Sequence, residues 1–145
     1  MRRLLIDTNV ILDYLLTRDP YYGDAEKVMN LCKEGSVQAC LAAHSIPNIF
    51  YILRKDYTVE ERRKILKSLC ILFDIEGIDH EKLIRALDSE DFTDFEDCLQ
   101  VQCALAYEAD YIITRNLEDF KDSPVTAITA DEYVKMISVS DGKNG

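Results

Sequence analysis

Several acidic and amide side chains stand where a short apolar run ends or where a long helical segment begins. All but one carry a carboxylate, so the set offers oxygen atoms to a ligand. In an open parallel sheet, ligands bind beyond the carboxyl ends of the strands, directly after such runs. Carboxylates gathered at one edge repel each other unless a hard cation lies between them, and Mg²⁺ or Mn²⁺ is the oxygen-seeking counterpart. These residues are Asp7, Asp94, Asp97, Asn116 and Asp119.

Each of these residues also has an ordinary structural explanation. Asp7 could cap the helix that follows it, because aspartate readily accepts hydrogen bonds from the free N–H groups at a helix start. Asp97 could be a first-turn carboxylate that the helix dipole favours, and Asn116 and Asp119 could be turn residues. No single aspartate is diagnostic, so the hypothesis of a site depends on the combination.

The spacing of apolar residues predicts alternating strands and helices around these positions. Strands are predicted at residues 4–6, 37–42, 73–78, 111–114 and 125–128. Helices are predicted after Asp7, over 24–34, 45–55 and 79–87, from a capping box at Thr58 and Glu61, from a second one at 93–96, and over 130–137. The pattern favours an α/β fold, a three-layer α/β/α sandwich with a mostly parallel central sheet of about five strands.

Length and composition predict one domain at residues 1–138 and a flexible tail at 139–145. No apolar run approaches the ~20 residues that span a bilayer, and Arg2 and Arg3 precede a strand-like segment rather than a secretory signal. We therefore expect a soluble, cytoplasmic protein without a membrane partner. The odd number of cysteines, none in a C-x-x-C pair, predicts reduced thiols of the core type.

The charge balance argues at first against a nucleic-acid partner, since the net charge is −10 and the pI about 4.6. The distribution is uneven, however, because carboxylates predominate over residues 74–97 whereas basic residues cluster just before them. This arrangement could join an acidic metal pocket to a basic contact surface, or the two segments could be solvated helix faces. The basic residues are Arg54, Lys55, Arg62, Arg63, Lys64 and Lys67.

Three blocks of the sequence closely resemble the signature blocks of PIN domains. They are LIDTNV at residues 5–10, DFEDCLQ at 94–100 and ITRNLEDF at 113–120, in the family's order and spread over nearly the whole chain. That family includes the VapC-type ribonuclease toxins of bacterial toxin–antitoxin pairs. The resemblance implies Mg²⁺- or Mn²⁺-dependent hydrolysis of RNA phosphodiester bonds.

The resemblance also implies roles for individual residues. Asp7 matches the family's first metal-binding aspartate, and Asp97 matches the aspartate at the start of its late helix. Asn116 stands where many members have a further aspartate, and Asp119 is expected to supply the missing charge. The main departure is Asn48, which stands where the family usually has a glutamate. An amide oxygen can bind a metal or hold a water, but it adds no charge and cannot act as a base.

With Asp7 and Asp97 as the anionic ligands, the site is expected to hold one metal ion more readily than two. We expect Asp97 or Asp119 to orient the attacking water, whose pKa the cation lowers. Thr8 and Thr114 are expected to support the carboxylates from behind, and Asp94 to support them from the helix start. Neither histidine has a convincing acid or base role; His44 and His80 are expected to be a local polar contact and a surface residue.

Two other functions remain open. A haloacid dehalogenase-like phosphatase would use Asp7 as its nucleophile, but that class needs a second aspartate two residues later, where Asn9 stands. A PIN fold that has lost catalysis, because Asn48 and Asn116 replace acids, would act only as an interaction module.

If the toxin interpretation holds, the resemblance also implies a homodimer and a small antitoxin whose C-terminal segment covers the acidic pocket. The sequence adds one set of candidates for such contacts, since a group of aromatic side chains could line a groove, although aromatic residues more often belong to the core. The set is Tyr14, Tyr21, Tyr22, Phe50 and Tyr51.

Overall fold

A single parallel sheet forms the middle layer of the molecule. The computed structural model describes residues 1–92 and 94–144, with side chains through residue 139. The strands are β1 (Arg3–Ile6), β2 (Gln38–Ala42), β3 (Asp74–Glu76), β4 (Tyr111–Ile113) and β5 (Ala127–Ile128). The five strands lie in the order β3-β2-β1-β4-β5, and every neighbouring pair is parallel. Because the strand order reverses beside β1, the carboxyl ends of β1 and β4 flank the crevice where ligands bind in such sheets.

The helices cover both faces of this sheet, as the predicted three-layer α/β/α sandwich requires. They are α1 (Thr8–Leu15), α2 (Tyr22–Lys33), α3 (Ser45–Ile52), α4 (Val59–Leu72), α5 (His80–Asp88), α6 (Phe95–Ala106) and α7 (Ala130–Asn144). Short 3₁₀ turns follow α3 at Leu53–Lys55 and β4 at Leu117–Phe120.

The central strand explains why the chain needs a helix layer on each side. Leu4 and Ile6 point into a core shared with α1 to α4 and α7, whereas Leu5 points into a second core formed with α6. All three side chains are fully buried. A strand buried on both faces reads as a continuous apolar run, which is what the sequence has before Asp7.

Local signals set the helix ends that matter for the site. Thr58 and Glu61 form the predicted capping box at the start of α4, with bonds of 2.9 and 3.1 Å. Gly35, with a φ of 75°, follows the end of α2 as predicted, because glycine reaches the left-handed region without steric cost. The capping box predicted at 93–96 includes Thr93, which lies outside the described residues, and Asp94 caps α6.

The predicted fold class is confirmed, and the differences concern local features. Helix α7 continues to Asn144, past the predicted end at Ile137. The flexible tail at 139–145 stays a prediction, and Gly145 lies outside the described residues. Four cysteines are buried thiols as expected, but Cys70 is exposed on α4. Over the described part of the chain, every helix is too short or too polar to cross a bilayer.

Candidate functional site

The carboxylate of Asp7 lies at the carboxyl end of the central strand and is only 3% exposed. Gln100 Nε2 donates a hydrogen bond of 2.9 Å to Asp7 Oδ1, and Thr114 Oγ1 donates one of 2.9 Å to Asp7 Oδ2. Asp7 occupies the N-cap position of α1, but within the described structure its side chain makes no cap hydrogen bond. The capping explanation for this residue is therefore wrong, and its carboxylate is held by residues distant in sequence.

Thr114 connects Asp7 to the loop that follows β4. Its hydroxyl accepts a hydrogen bond of 3.0 Å from the Asn116 backbone N–H while it donates to Asp7. The direction of both bonds is fixed, because a backbone N–H can only donate and an ionised carboxylate can only accept. Thr114 is fully buried, so this link is shielded from water.

Asp97 lies in the first turn of α6 and is half-buried. Its backbone N–H donates a hydrogen bond of 3.0 Å to Asp94 Oδ1, so Asp94 holds the helix start in place. Burial raises the pKa of the Asp97 carboxyl from its ordinary value of 3.8 to about 7, and the negative charges of Asp94, Asp7, Asp119 and Glu96 add to the rise. The structure therefore gathers carboxylates from separate segments of the chain around Asp97.

A cleft of about 340 Å³ opens in front of this cluster. Asp119 lies in the 3₁₀ turn after β4 and is exposed on the cleft wall, while Asn116 immediately precedes that turn and is half-buried. Lys121, also on the wall, pairs with Glu118 at 2.9 Å. The lining residues are Asp91, Phe92, Asp94, Asp97, Glu118, Asp119, Lys121 and Asp122.

Two further residues of the predicted site, Thr8 and Asn48, lie near the starts of helices α1 and α3. The Thr8 hydroxyl lies 2.6 Å from Ser45 Oγ, the first residue of α3, rather than on a carboxylate. This differs from the predicted contact, since the described partner of the Thr8 hydroxyl is another hydroxyl. Asn48 is half-buried one turn after Ser45, so the helix that carries it is tied to the start of α1 through that pair.

Buried polar atoms without partners lie next to the cluster. The Nδ1 atom of His44, two residues after β2, and the Oε1 atom of Gln100 are both buried. Neither atom has a hydrogen-bond partner among the described residues. Burial lowers the pKa of His44, although the charges of Glu96, Asp7 and Asp94 oppose the shift. His44 thus faces the acidic cluster, closer to the site than the sequence predicted. Unpartnered polar atoms of this kind indicate places for ordered water.

The donor set suits a hydrated hard cation better than a closed metal site. Among the described residues, no three histidine, cysteine, aspartate or glutamate side chains form a ready-made metal group. Mg²⁺ typically keeps several waters and binds through one or two carboxylates, with further oxygen ligands from a substrate phosphate. The carboxylates that the sequence predicts for such a site are Asp7 and Asp97, with the amide of Asn116 and the carboxylate of Asp119 as further oxygen donors, and the charges of Asp7 and Asp119 both act on Asp97.

The sequence patterns did not predict three contacts in and near the site, which involve Gln100, Ser45 and Asp13. Gln100 is a polar residue in a buried apolar stretch of α6, and that contrast was the available signal for its bond to Asp7. Ser45 gave no signal apart from following a strand. Asp13 is 1% exposed and pairs with Arg115 at 2.9 Å and Arg18 at 3.7 Å, a contact between segments that spacing along the chain does not predict.

Comparisons with known proteins agree with this architecture. A family model described as PIN domain matches residues 3–118. No curated protein matches the chain. Solved structures with similar folds include a toxin–antitoxin complex from Klebsiella pneumoniae, with a TM-score of 0.68 and 19% identity over 88% of this chain and 97% of that chain. At such identities the likeness shows the fold alone.

Two further structures have the same degree of similarity. VapBC2 from Rickettsia felis, bound to a DNA fragment from its promoter, has a TM-score of 0.64 and 17% identity over 88% of this chain and 98% of that chain. DNA-bound VapBC from Salmonella typhimurium has a TM-score of 0.65 and 14% identity over 90% and 99% of the two chains.

The raised pKa of Asp97 predicts a pH-dependent instability in metal-free protein. A carboxyl whose folded pKa lies above its unfolded pKa favours the folded state below the unfolded value, and that contribution is lost as pH rises through about 7. Replacing Asp97 with Asn should therefore raise the free energy of unfolding at pH 8 by about 1–2 kcal/mol after a discount for solvent screening, with little gain at pH 4.

Urea denaturation in EDTA at pH 4, 6 and 8 measures this difference. Asp122→Asn is the matched control, because Asp122 lies on the same cleft but is not among the charges that act on Asp97. If the stability of Asp97→Asn follows pH in parallel with the wild type, the Asp97 carboxyl does not have the raised pKa that burial and the neighbouring carboxylates are described to cause.

Proposed function

The chain belongs to the PIN domain family, and from this premise we propose that it is a divalent-metal-dependent endoribonuclease that hydrolyses RNA phosphodiester bonds, acting as the toxin of a toxin–antitoxin pair. The observation that supports this most is the convergence of negative charge from Asp7, Asp94 and Asp119 on the half-buried Asp97. Asp7, the Asp94–Asp97 pair and Asp119 come from three separate segments of the chain, and such a concentration of like charge is costly unless a cation offsets it.

The residues of the chain have distinct parts in this proposal. A bound Mg²⁺ or Mn²⁺ supplies a Lewis acid that lowers the pKa of a water and offsets the charge on the phosphate oxygens. Asp7 and Asp97 would hold the cation, and Thr114 keeps the Asp7 carboxylate oriented. Asp119, which lines the cleft, would orient water, and the amides of Asn48 and Asn116 would contribute oxygen atoms without charge.

The competing function is a PIN fold without catalysis. This alternative is considered because Asn48 and Asn116 stand where PIN domains often have acidic residues. The site therefore carries less negative charge than a fully acidic one. This alternative predicts that purified protein leaves all RNA intact in the presence of Mn²⁺. The family assignment gives no support to a phosphatase that uses Asp7 as a nucleophile.

Substitution of the two central aspartates tests the nuclease directly. Asp7→Asn and Asp97→Asn should each reduce Mn²⁺-dependent cleavage of single-stranded and structured RNA by at least about 100-fold, because each removes a charge that holds a cation worth several kcal/mol to the transition state. EDTA should abolish cleavage by the wild type. The readout is the rate at which labelled RNA is cut, followed on denaturing gels.

Asp56→Asn is the control for this experiment, since Asp56 is exposed in the turn after α3 and carries no proposed role. It should cut RNA at the wild-type rate. Cleavage that survives in both Asp7→Asn and Asp97→Asn would indicate a contaminating nuclease, and intact RNA with every protein would favour the interaction module.

We further propose that the exposed basic face of α4 contacts RNA. Arg63, Lys64 and Lys67 lie together on a cleft of about 640 Å³ along that helix, and all three side chains are exposed. The chain carries a net charge of −10, so a polyanion can approach only where positive charge is concentrated. Arg62 is less available, because it donates a hydrogen bond of 2.9 Å to the Phe50 carbonyl and stacks on that ring.

Neutralising this face should weaken RNA binding without altering the cluster. In the Asp97→Asn background, which leaves RNA uncut, the double change Lys64→Gln and Lys67→Gln should raise the RNA dissociation constant at low salt. It should also lower the slope of log affinity against log salt by about 1 for each phosphate that the protein no longer neutralises.

Lys135→Gln on α7 serves as the comparison, because Lys135 pairs with Asp131 at 3.0 Å within its own helix. Fluorescence anisotropy with labelled single-stranded RNA gives the affinities. If the slope of log affinity against log salt is unchanged in the double variant, α4 is not part of the surface that binds RNA.

We also propose a homodimer and a small antitoxin as protein partners, acting in the cytoplasm. The similar solved structures are toxin–antitoxin complexes, which is the basis of this proposal. Large apolar side chains on the surface are consistent with protein contacts: Ile71 is 87% exposed, Leu87 66% and Tyr51 62%. Tyr14 and Tyr22 of the predicted aromatic groove stack on each other with ring centroids 6.0 Å apart, and the groove itself stays a prediction.

Co-expression with the product of a short neighbouring reading frame tests the antitoxin. We expect the two proteins to purify together and RNA cleavage to be suppressed, with light scattering giving a toxin dimer within the complex. A neighbour that neither co-purifies nor inhibits cleavage would contradict this part of the proposal.

A further inference from the structure

Gln100 is a buried polar residue in the second turn of α6. It is 3% exposed, and its neighbours in sequence, Leu99 and Val101, belong to the hydrophobic cores. A glutamine amide at such a position is costly unless its polar atoms find partners. Its one described partner is Asp7, through the bond from Nε2 to Oδ1 at 2.9 Å.

The chemistry of this bond determines how the amide is oriented. An ionised carboxylate only accepts hydrogen bonds, so the NH₂ group of Gln100 must face Asp7. The amide oxygen then points away, and it is buried without a partner among the described residues. In this orientation the NH₂ group of Gln100 donates to Asp7, while its amide oxygen has no partner among the described residues.

Gln100 also links the two central carboxylates. It lies three residues after Asp97 on α6, and residues at that spacing share a face of a helix. The same helix face therefore presents Asp97 and the donor that holds Asp7 Oδ1. With Thr114 on Oδ2, both oxygens of Asp7 are fixed, one from α6 and one from the end of β4.

We propose that Gln100 is a positioning residue, which fixes the orientation of the Asp7 carboxylate relative to Asp97 so that both can bind one divalent cation. This inference rests on the cation-binding part of the proposed function. The Oε1 atom on the other side of the amide can accept a hydrogen bond from an ordered water. A merely structural Gln100 would satisfy Asp7 and stabilise the fold but would leave cation affinity unchanged.

Gln100→Met tests the inference, because methionine has a similar length and shape but no donor. We expect the Mn²⁺ dissociation constant, measured by isothermal titration calorimetry, to rise by about 10–100-fold, as is typical when a residue that orients a metal ligand is lost. Gln102→Met is the matched control on the same helix. Gln102 is half-buried beside Lys82 and Arg85, and its change should leave the constant within about twofold of the wild type.

Thermal unfolding in EDTA and in excess Mn²⁺ provides a second readout that does not depend on activity. The rise in Tm caused by Mn²⁺ should be smaller in Gln100→Met than in Gln102→Met. If Gln100→Met does not fold, Gln100→Asn takes its place, since its amide is one methylene too short to keep the bond and should also weaken Mn²⁺ binding.

The outcomes separate this inference from the nuclease proposal. Wild-type affinity in a folded Gln100 variant overturns the positioning role, whether or not RNA is cut. A wild-type protein that takes up no Mn²⁺ overturns it as well, together with the metal-dependent mechanism. Weakened Mn²⁺ binding in the variant, combined with a wild type that cuts no RNA, supports the role of Gln100 and rejects the nuclease.

Discussion

The arrangement of the site depends on burying one charge, the carboxylate of Asp7, at the end of the central strand. A buried carboxylate is tolerated only when its oxygens receive hydrogen bonds, and here the donors come from α6 and from the end of β4. Those two elements can meet Asp7 because β1 lies between β2 and β4 in the sheet. The reversal of strand order thus brings the first strand, the sixth helix and the loop after β4 to one edge.

That constraint accounts for the unusual state of Asp97. Its helix must lie against Asp7 for Gln100 to reach Oδ1. This half-buries the Asp97 carboxyl, which is the larger cause of its raised pKa, and brings it into the field of Asp7 and Asp119, to which Asp94 at the start of the same helix adds. The resulting rise in pKa is a cost to the folded state when no cation is present. Residues selected for stability alone would avoid it, so stability is exchanged here for a concentration of oxygen ligands.

Sequence patterns predicted the elements well because these depend on local chemistry. The apolar run at β1, the capping box at Thr58 and the stop at Gly35 each follow from residues close together in the chain. The hydrogen-bond partners within the site were harder to predict, because Gln100 and Thr114 reach Asp7 across separations of 93 and 107 residues. A pattern can mark a carboxylate as a candidate, but the choice of its donors depends on packing between layers.

A comparison of the two buried aspartates indicates which one is built for an exchangeable cation. Asp13 is paired with the guanidinium groups of Arg115 and Arg18, and Arg115 also stacks on the ring of Tyr21, so its charge is neutralised by resident residues. The hydrogen-bond donors to Asp7 in the described structure are both neutral, although Arg115 directly follows Thr114 in sequence. Thr114 donates to Asp7 and the next residue pairs with Asp13, so one chain segment gives Asp7 a hydroxyl and gives Asp13 a cation. Among the described residues, neutral donors fix the charge at Asp7 in position and no basic side chain pairs with it. This difference from Asp13 supports the proposal of an exchangeable metal ion at the carboxyl end of β1.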